Sequence, residues 1–251
     1  MTLNKPVFLN TLRSQMDAPV RLVIAGLLVL LLYFLVSGGV MVNAAPISGV
    51  GSLVTGGNYL LTMLLWLLGL GLISRDISSG AIQLVLLRPL TRASYVLSKW
   101  AALVSVGVAV LLFMHVAYLA HHGVDAEAAS SLVLLFAAQC LQVAAIAAVI
   151  ALFSTVPINF GELGLLILCA LVFLMLKLLN LHYGLALMDQ FLGYAWRVLL
   201  PSVAFAPDSA DSGSGDLLAS LAFNAAVAVA ALSGAMALMA QREFTYAEQD
   251  G

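Results

Sequence analysis

Apolar residues in this chain come in long unbroken runs rather than in alternation. Six runs are long enough to matter, at residues 21–42, 53–73, 93–119, 130–154, 162–181 and 217–240. A bilayer core about 30 Å thick takes about 20 apolar residues of helix. Strands are excluded, because an isolated strand in lipid leaves its backbone groups unpaired. The pattern therefore predicts an all-α membrane protein with six transmembrane helices, read as a single transmembrane domain over 1–251. Four polar stretches frame the spans: the amino-terminal 1–19, an elbow at 74–92, a loop at 182–216 and a tail at 241–251. The weak Val42-Asn43-Ala44-Ala45 match is not read as a cleavage site, so no removed leader is expected.

Two of the polar stretches carry helical periodicity of their own. Near the amino terminus, Phe8, Leu12 and Met16 recur every four residues with Leu9 beside them, and Asn10, Arg13, Ser14 and Asp17 take the other face. Pro6 suits a first helical turn and Pro19 ends the pattern. This predicts an interfacial helix in the inner headgroup layer, with an ordinary flanking tail as the alternative. In the elbow, Ile77, Ala81, Leu84 and Val85 form a stripe widened by Ile82 and Leu86, with Asp76, Ser78, Ser79 and Gln83 polar. Asp76 near the start and Arg88 near the end match the helix dipole. Pro89 stops the pattern, and Thr91 can cap the helix that follows.

Composition agrees with the spans. The chain is 63% hydrophobic and 9% charged, with a mean hydropathy of +1.09. A soluble domain carries about 25% charged residues. The net charge of −2 and the lack of a basic run give no reason to expect a nucleic-acid partner.

The positions of Lys and Arg set the orientation. With the amino terminus in the cytoplasm, Lys5, Arg13, Arg21, Arg75, Arg88, Arg92, Lys99 and Arg242 fall inside, and only Lys177 and Arg197 fall outside. The positive-inside bias thus puts both termini and the elbow in the cytoplasm, as an even span number requires. The expected location is the inner (cytoplasmic) cell membrane, multi-pass. On this reading the elbow is either a basic loop obeying the orientation rule or a docking element for a cytoplasmic partner. Arg92 and Lys99 lie about two turns apart, within reach of phosphates or a partner's carboxylate.

The elbow also carries a family pattern. Asp76 through Gly80, then Leu86-Leu87-Arg88-Pro89-Leu90-Thr91-Arg92, then Lys99, resembles the permease subunits of type-2 ABC exporters. Among these, it is similar to the small six-span permeases of nitrous-oxide-reductase maturation and of gliding motility. Ala81 stands where that pattern usually has Thr, and Leu90-Thr91 where it usually has Ile-Ser. The resemblance implies a coupling helix between spans two and three, seated on a separate cytoplasmic ATP-binding subunit that holds ATP and Mg. It implies a second permease copy, either identical or a close paralogue, and leaves room for a periplasmic accessory protein. The residues it assigns to coupling are Asp76, Gly80, Arg88, Pro89, Arg92 and Lys99; Leu84 of the elbow stripe joins them as a partner-facing position. It also implies short re-entrant helices in the outer loop.

The chain itself has no Gly-Lys-Ser or Gly-Lys-Thr phosphate loop, no HExxH, no GxSxG and no CxxC. Catalytic chemistry and cofactors are therefore not expected in it. Cys140 and Cys169 fall within spans and read as packing thiols. Intramembrane charge is a functional default. Lys177, near the outer end of the fifth span, either snorkels outward or faces a substrate pathway with Asn180 and Glu162. Tyr118, Gln139 and Gln142 are further hydrogen-bonding positions inside spans, His115 is a bundle-facing polar group, and Trp66, Trp100 and Trp196 suit packing or interfacial roles. His121, His122, Asp125 and Glu127 read as a solvated connection rather than a metal site, as does the turn 207–216. Small residues at Ala222, Ala226, Ala230 and Gly234, and at Cys140, Ala144 and Ala148, allow close helix approach, within one subunit or at a subunit seam.

The reading the sequence supports best is the permease subunit of an ATP-driven exporter working by alternating access. The alternatives are a membrane subunit that uses the same coupling for mechanical or scaffold work, and an intramembrane lipid-modifying enzyme. The enzyme would need His, Asp and Glu converging at one depth, whereas the sequence scatters them.

Overall fold

A computed structural model describes residues 4–16, 26, 61–82, 91–122, 126–156, 171–172, 174–176, 198, 201 and 214–241. Its regular elements are α1 (Lys5–Met16), a helical stretch α2 at 61–69, the short α3 (Ser74–Ser78), α4 (Arg92–His122), α5 (Ala126–Ser154) and α6 (Ser214–Gln241). Among the described residues there is no strand. Four stretches of them are long and apolar enough to cross a bilayer: Leu61–Ser78, Arg92–Ala120, Leu132–Ser154 and Leu218–Gln241. Apart from 26, 171–172 and 174–176, the expected spans at 21–42 and 162–181 lie outside the described residues, as do most of the outer loop and the tail beyond 241.

The helices share one apolar core. Leu61, Leu64, Leu65 and Leu68 of α2 meet Val96, Leu103 and Leu111 of α4 and the run 145–151 of α5. On α6, Val227, Ala231, Ala235 and Met239 close the core against α5, with which α6 makes its most extensive contact. The outer faces are apolar too: Leu112, Val116, Val133, Leu134 and Val229 are exposed. A helix apolar on all sides, as these are, belongs in lipid.

Glycines allow the closest approaches. A Cβ added at Gly107 would lie 2.5 Å from Val143 Cγ1 and 2.9 Å from Leu65 Cδ2, and one at Gly69 would lie 2.6 Å from Ile150 Cγ2. The small-residue stripe expected on the last span is displaced by about one position. Ala222, Ala226 and Ala230 are exposed, and only Gly234 approaches α5, with Leu152 Cδ1 3.2 Å from where its Cβ would be. Packing within one subunit therefore runs through Val227, Ala231, Ala235 and Met239. The Cys140–Ala144–Ala148 stripe does pack within the chain. There the small Ala144 side chain lets Trp100 Nε1 donate to the Ala144 carbonyl at 3.0 Å.

The elbow departs from a continuous amphipathic helix. α2 stops at residue 69, Gly71 takes φ 77°, and α3 then runs for five residues before Gly80 takes φ 70°. Left-handed backbone is open to glycine and strained for residues with a Cβ. The Ser78-Ser79 pair adds little helix propensity, and helix resumes at Ala81. Ile77 is thus separated from Ala81 and Ile82 by the break at Gly80, and the remainder of the stripe, from Leu84 on, lies outside the described residues. Among the described residues nothing lies within 4 Å of a Cβ at Gly80. Gly80→Ala should therefore lose stability through backbone strain alone, by about 1 kcal/mol, read as a lower unfolding midpoint in detergent.

α1 forms where expected, with Asn4 Oδ1 accepting from Val7 N at 3.1 Å as its cap. It meets the bundle through Asn4, Val7 and Thr11. Thr11 is buried, Leu9 is 52% exposed, and Asn4 N donates to Ser98 Oγ of α4 at 2.8 Å.

Candidate functional site: the clamped elbow

The elbow is built around a carboxylate. Asp76 lies in the first turn of α3, where a negative charge favours the helix dipole. Its Oδ2 accepts from Tyr95 Oη at 2.5 Å and sits 2.7 Å from Lys99 Nζ, both on α4. Tyr95 and Lys99 are one helical turn apart, so their side chains leave the same face. The Lys99 ammonium also lies 5.6 Å from the centre of the Tyr95 ring. Lys99 is 7% exposed and Asp76 27% exposed, so this is a largely desolvated ion pair rather than a surface one. Such pairs need added hydrogen bonds to hold, and the Tyr95 hydroxyl supplies one.

A second tie reaches α3 from α5. The residue before α3, Ile73, offers no side-chain cap. Ser154 Oγ, at the end of α5, accepts instead from Ile73 N at 2.6 Å and from Ser74 N at 3.1 Å. It satisfies two donors that a helix start otherwise leaves open. Ser154→Ala should cost about 1–2 kcal/mol and raise amide exchange at residues 73 and 74 while sparing the middle of α5.

Arg92 has a different task from Lys99. Its guanidinium donates to the carbonyls of Met239 at 3.1 Å and Ala240 at 2.8 Å, at the end of α6. The last turn of α6 has no basic residue of its own, so Arg92 supplies the positive charge that a helix carboxyl end favours. Thr91 caps α4 as expected, its Oγ1 accepting from Ser94 N at 3.2 Å. The elbow residues Leu84, Arg88 and Pro89 lie outside the described residues, as do Lys177, Asn180 and Glu162. Of the expected outer His and acid cluster, no side chain is among those described. Among the described residues no group of three or more His, Cys, Asp or Glu could hold a metal ion.

The far end of the bundle has a buried polar layer. His115, Tyr118, Gln139, Gln142 and Asn224 are all buried. His115 is five residues from the end of its apolar stretch, Gln139 seven from the start of its own and Asn224 six, so each lies about 8–11 Å in. His115 Nδ1 is 2.9 Å from the Leu111 carbonyl. A carbonyl only accepts, so Nδ1 carries the proton and Nε2 is left as an acceptor. Gln142 Nε2 donates to the Pro201 carbonyl at 2.9 Å. Sequence reading picked out each of these positions except Asn224, which gives no local signal within an apolar run.

No protein-family model matches the chain, and no curated protein matches it.

Proposed function

We propose that this chain is the permease subunit of an ATP-driven exporter of the type-2 ABC kind. In this reading six spans cross the inner membrane with both termini cytoplasmic, and α1 lies in the inner headgroup layer. The elbow around α3 is the coupling helix. It seats on a separate cytoplasmic subunit that binds ATP and Mg, and two permease copies rock between inward and outward states. This chain does no covalent chemistry. Substrate passes near the buried polar layer and the Lys177–Asn180 end of the fifth span, with Glu162 at the inner entry.

One observation carries the proposal: α3 is held by α4 through Asp76 and by α5 through Ser154. A displacement applied to a clamped element moves the spans with it as a rigid body. A loose loop would absorb it. An orientation-rule loop has no need of a buried ion pair, which is the reason for preferring the coupling reading. The polar layer holds imidazole, phenol and amide groups and no carboxylate among the described residues, which suits a hydrogen-bonding lining better than general acid and base catalysis.

The test is co-purification. The tagged chain, extracted in mild detergent from its own membrane, should bring down a nucleotide-binding subunit. The chain should stimulate that subunit's ATPase several-fold, and Arg88→Ala should remove the stimulation. An ATPase rate indifferent to this chain would remove the exporter reading. Stimulated ATPase without substrate movement in vesicles would favour mechanical work.

A further inference from the structure

Between α1 and the elbow lies a cavity of about 230 Å³. Its polar wall comprises Thr11 and Ser14 of α1, Arg75 and Asp76 of α3, Ser79 just after α3, and Lys99 of α4, and Leu68 at the end of α2 with Leu70 and Leu72 beyond it supplies the apolar wall. Lys99 is about ten ångströms along α4 from Arg92, the depth of a headgroup layer.

The charges and hydrogen bonds select the ligand. Two cations and one carboxylate line the space, so it carries a surplus positive charge. Asp76 is already engaged by Tyr95 and Lys99. An ammonium has three donors, and Lys99 gives one to that carboxylate. The exposed Arg75 guanidinium makes no ion pair with another described residue, and its planar fork matches phosphate oxygens. Ser79 Oγ accepts from Ala81 N at 3.5 Å and keeps its proton for the phosphate side, whereas the two α1 hydroxyls have the opposite polarity. Thr11 Oγ1 donates to the Val7 carbonyl at 2.8 Å, and Ser14 Oγ donates to the Thr11 carbonyl at 2.9 Å. Their protons are spent, so they offer lone pairs. A matching ligand presents an anionic phosphate to one side and hydroxyl donors to the other, with an apolar portion against the leucines.

We infer that this cavity binds a phosphoglycerol group, with the phosphate on Arg75 and Lys99 and the glycerol hydroxyls donating to Thr11 and Ser14. The group can arrive as the headgroup of an anionic lipid or as a soluble glycerol phosphate, and the experiment separates the two.

The full-length protein in detergent is titrated with phosphatidylglycerol, phosphatidic acid, phosphatidylcholine and glycerol 3-phosphate, and occupancy is read by native mass spectrometry. Phosphatidylglycerol is expected to bind at least tenfold more tightly than phosphatidylcholine and more tightly than phosphatidic acid. Arg75→Gln, an exposed position outside the ion pair, should weaken it at least fivefold. Thr11→Val should abolish the preference over phosphatidic acid while leaving phosphatidic acid binding in place. Competition by glycerol 3-phosphate at comparable concentration would assign the site to the soluble ligand, and its failure to compete to the lipid. Equal binding of the three lipids, or phosphatidylglycerol binding unchanged in both variants, would overturn the inference.

Discussion

Asp76→Ala is expected to destabilise the protein by about 3 kcal/mol, seen as a lower unfolding midpoint in detergent. Its partner Lys99 is 7% exposed, so removing the carboxylate strands an ammonium with no compensating charge and leaves the Tyr95 hydroxyl without its acceptor. Breaking a buried pair by deleting one member typically costs more than the pair contributes over an apolar replacement. The magnitude is set at the low end of that class because Asp76 is 27% exposed at the edge of the cavity. The double variant Asp76→Leu with Lys99→Met should recover most of the loss. Stability of the double variant no better than that of Asp76→Ala would mean that the ion pair is not what the first change damages. In the ATP-coupled reading the double variant is the more informative of the two. It restores the fold while releasing α3 from the tyrosine hydrogen bond, so its ATPase coupling should stay impaired.

Gly107→Val should be comparably damaging, by about 1–3 kcal/mol, and Gly107→Ala somewhat less. The first added carbon would lie 2.5 Å from Val143 Cγ1 and 2.9 Å from Leu65 Cδ2. Val143 is stiff at χ1, and both neighbours are fully buried, so neither can swing aside into open space. Helix α4 would have to retreat from α2 and α5 together. Val143→Ala in the Gly107→Ala background should restore part of the loss, and the coupling between the two changes is read from a double-mutant cycle on unfolding midpoints. Strictly additive losses would mean that the helices approach differently.

The spans were the legible part of the fold, because lipid imposes a length and a composition that any window of residues reveals. The apolar runs at 93–119, 130–154 and 217–240 match α4, α5 and α6 to within a few residues at each end. The elbow was legible in outline only. Its charged residues and its Pro89 stand out, yet its division at Gly71 and Gly80 depends on local backbone choices that an apolar stripe conceals. Pairings across the fold were not legible. Asp76 and Lys99 are both conspicuous, but nothing periodic says that they meet. Ser154 caps a helix eighty residues earlier, and a serine at the end of an apolar run gives no sign of that. How α1 docks on the bundle was not legible for a related reason. Periodicity finds the most apolar stripe, whereas α1 meets the bundle through Asn4 and Thr11, whose partners are hydrogen-bonding groups on α4 and along α1 itself.

Ser78 is the natural probe for the central claim, being exposed on α3 and outside the clamp. A Ser78→Cys variant, with Cys140 and Cys169 replaced, can be treated with a membrane-impermeant maleimide on intact cells and on inside-out vesicles. The account predicts no labelling of intact cells, labelling of stripped vesicles, and protection once the ATP-binding subunit is added back. Labelling of Ser78→Cys from outside intact cells, or labelling of vesicles that the bound subunit leaves unchanged, would contradict it.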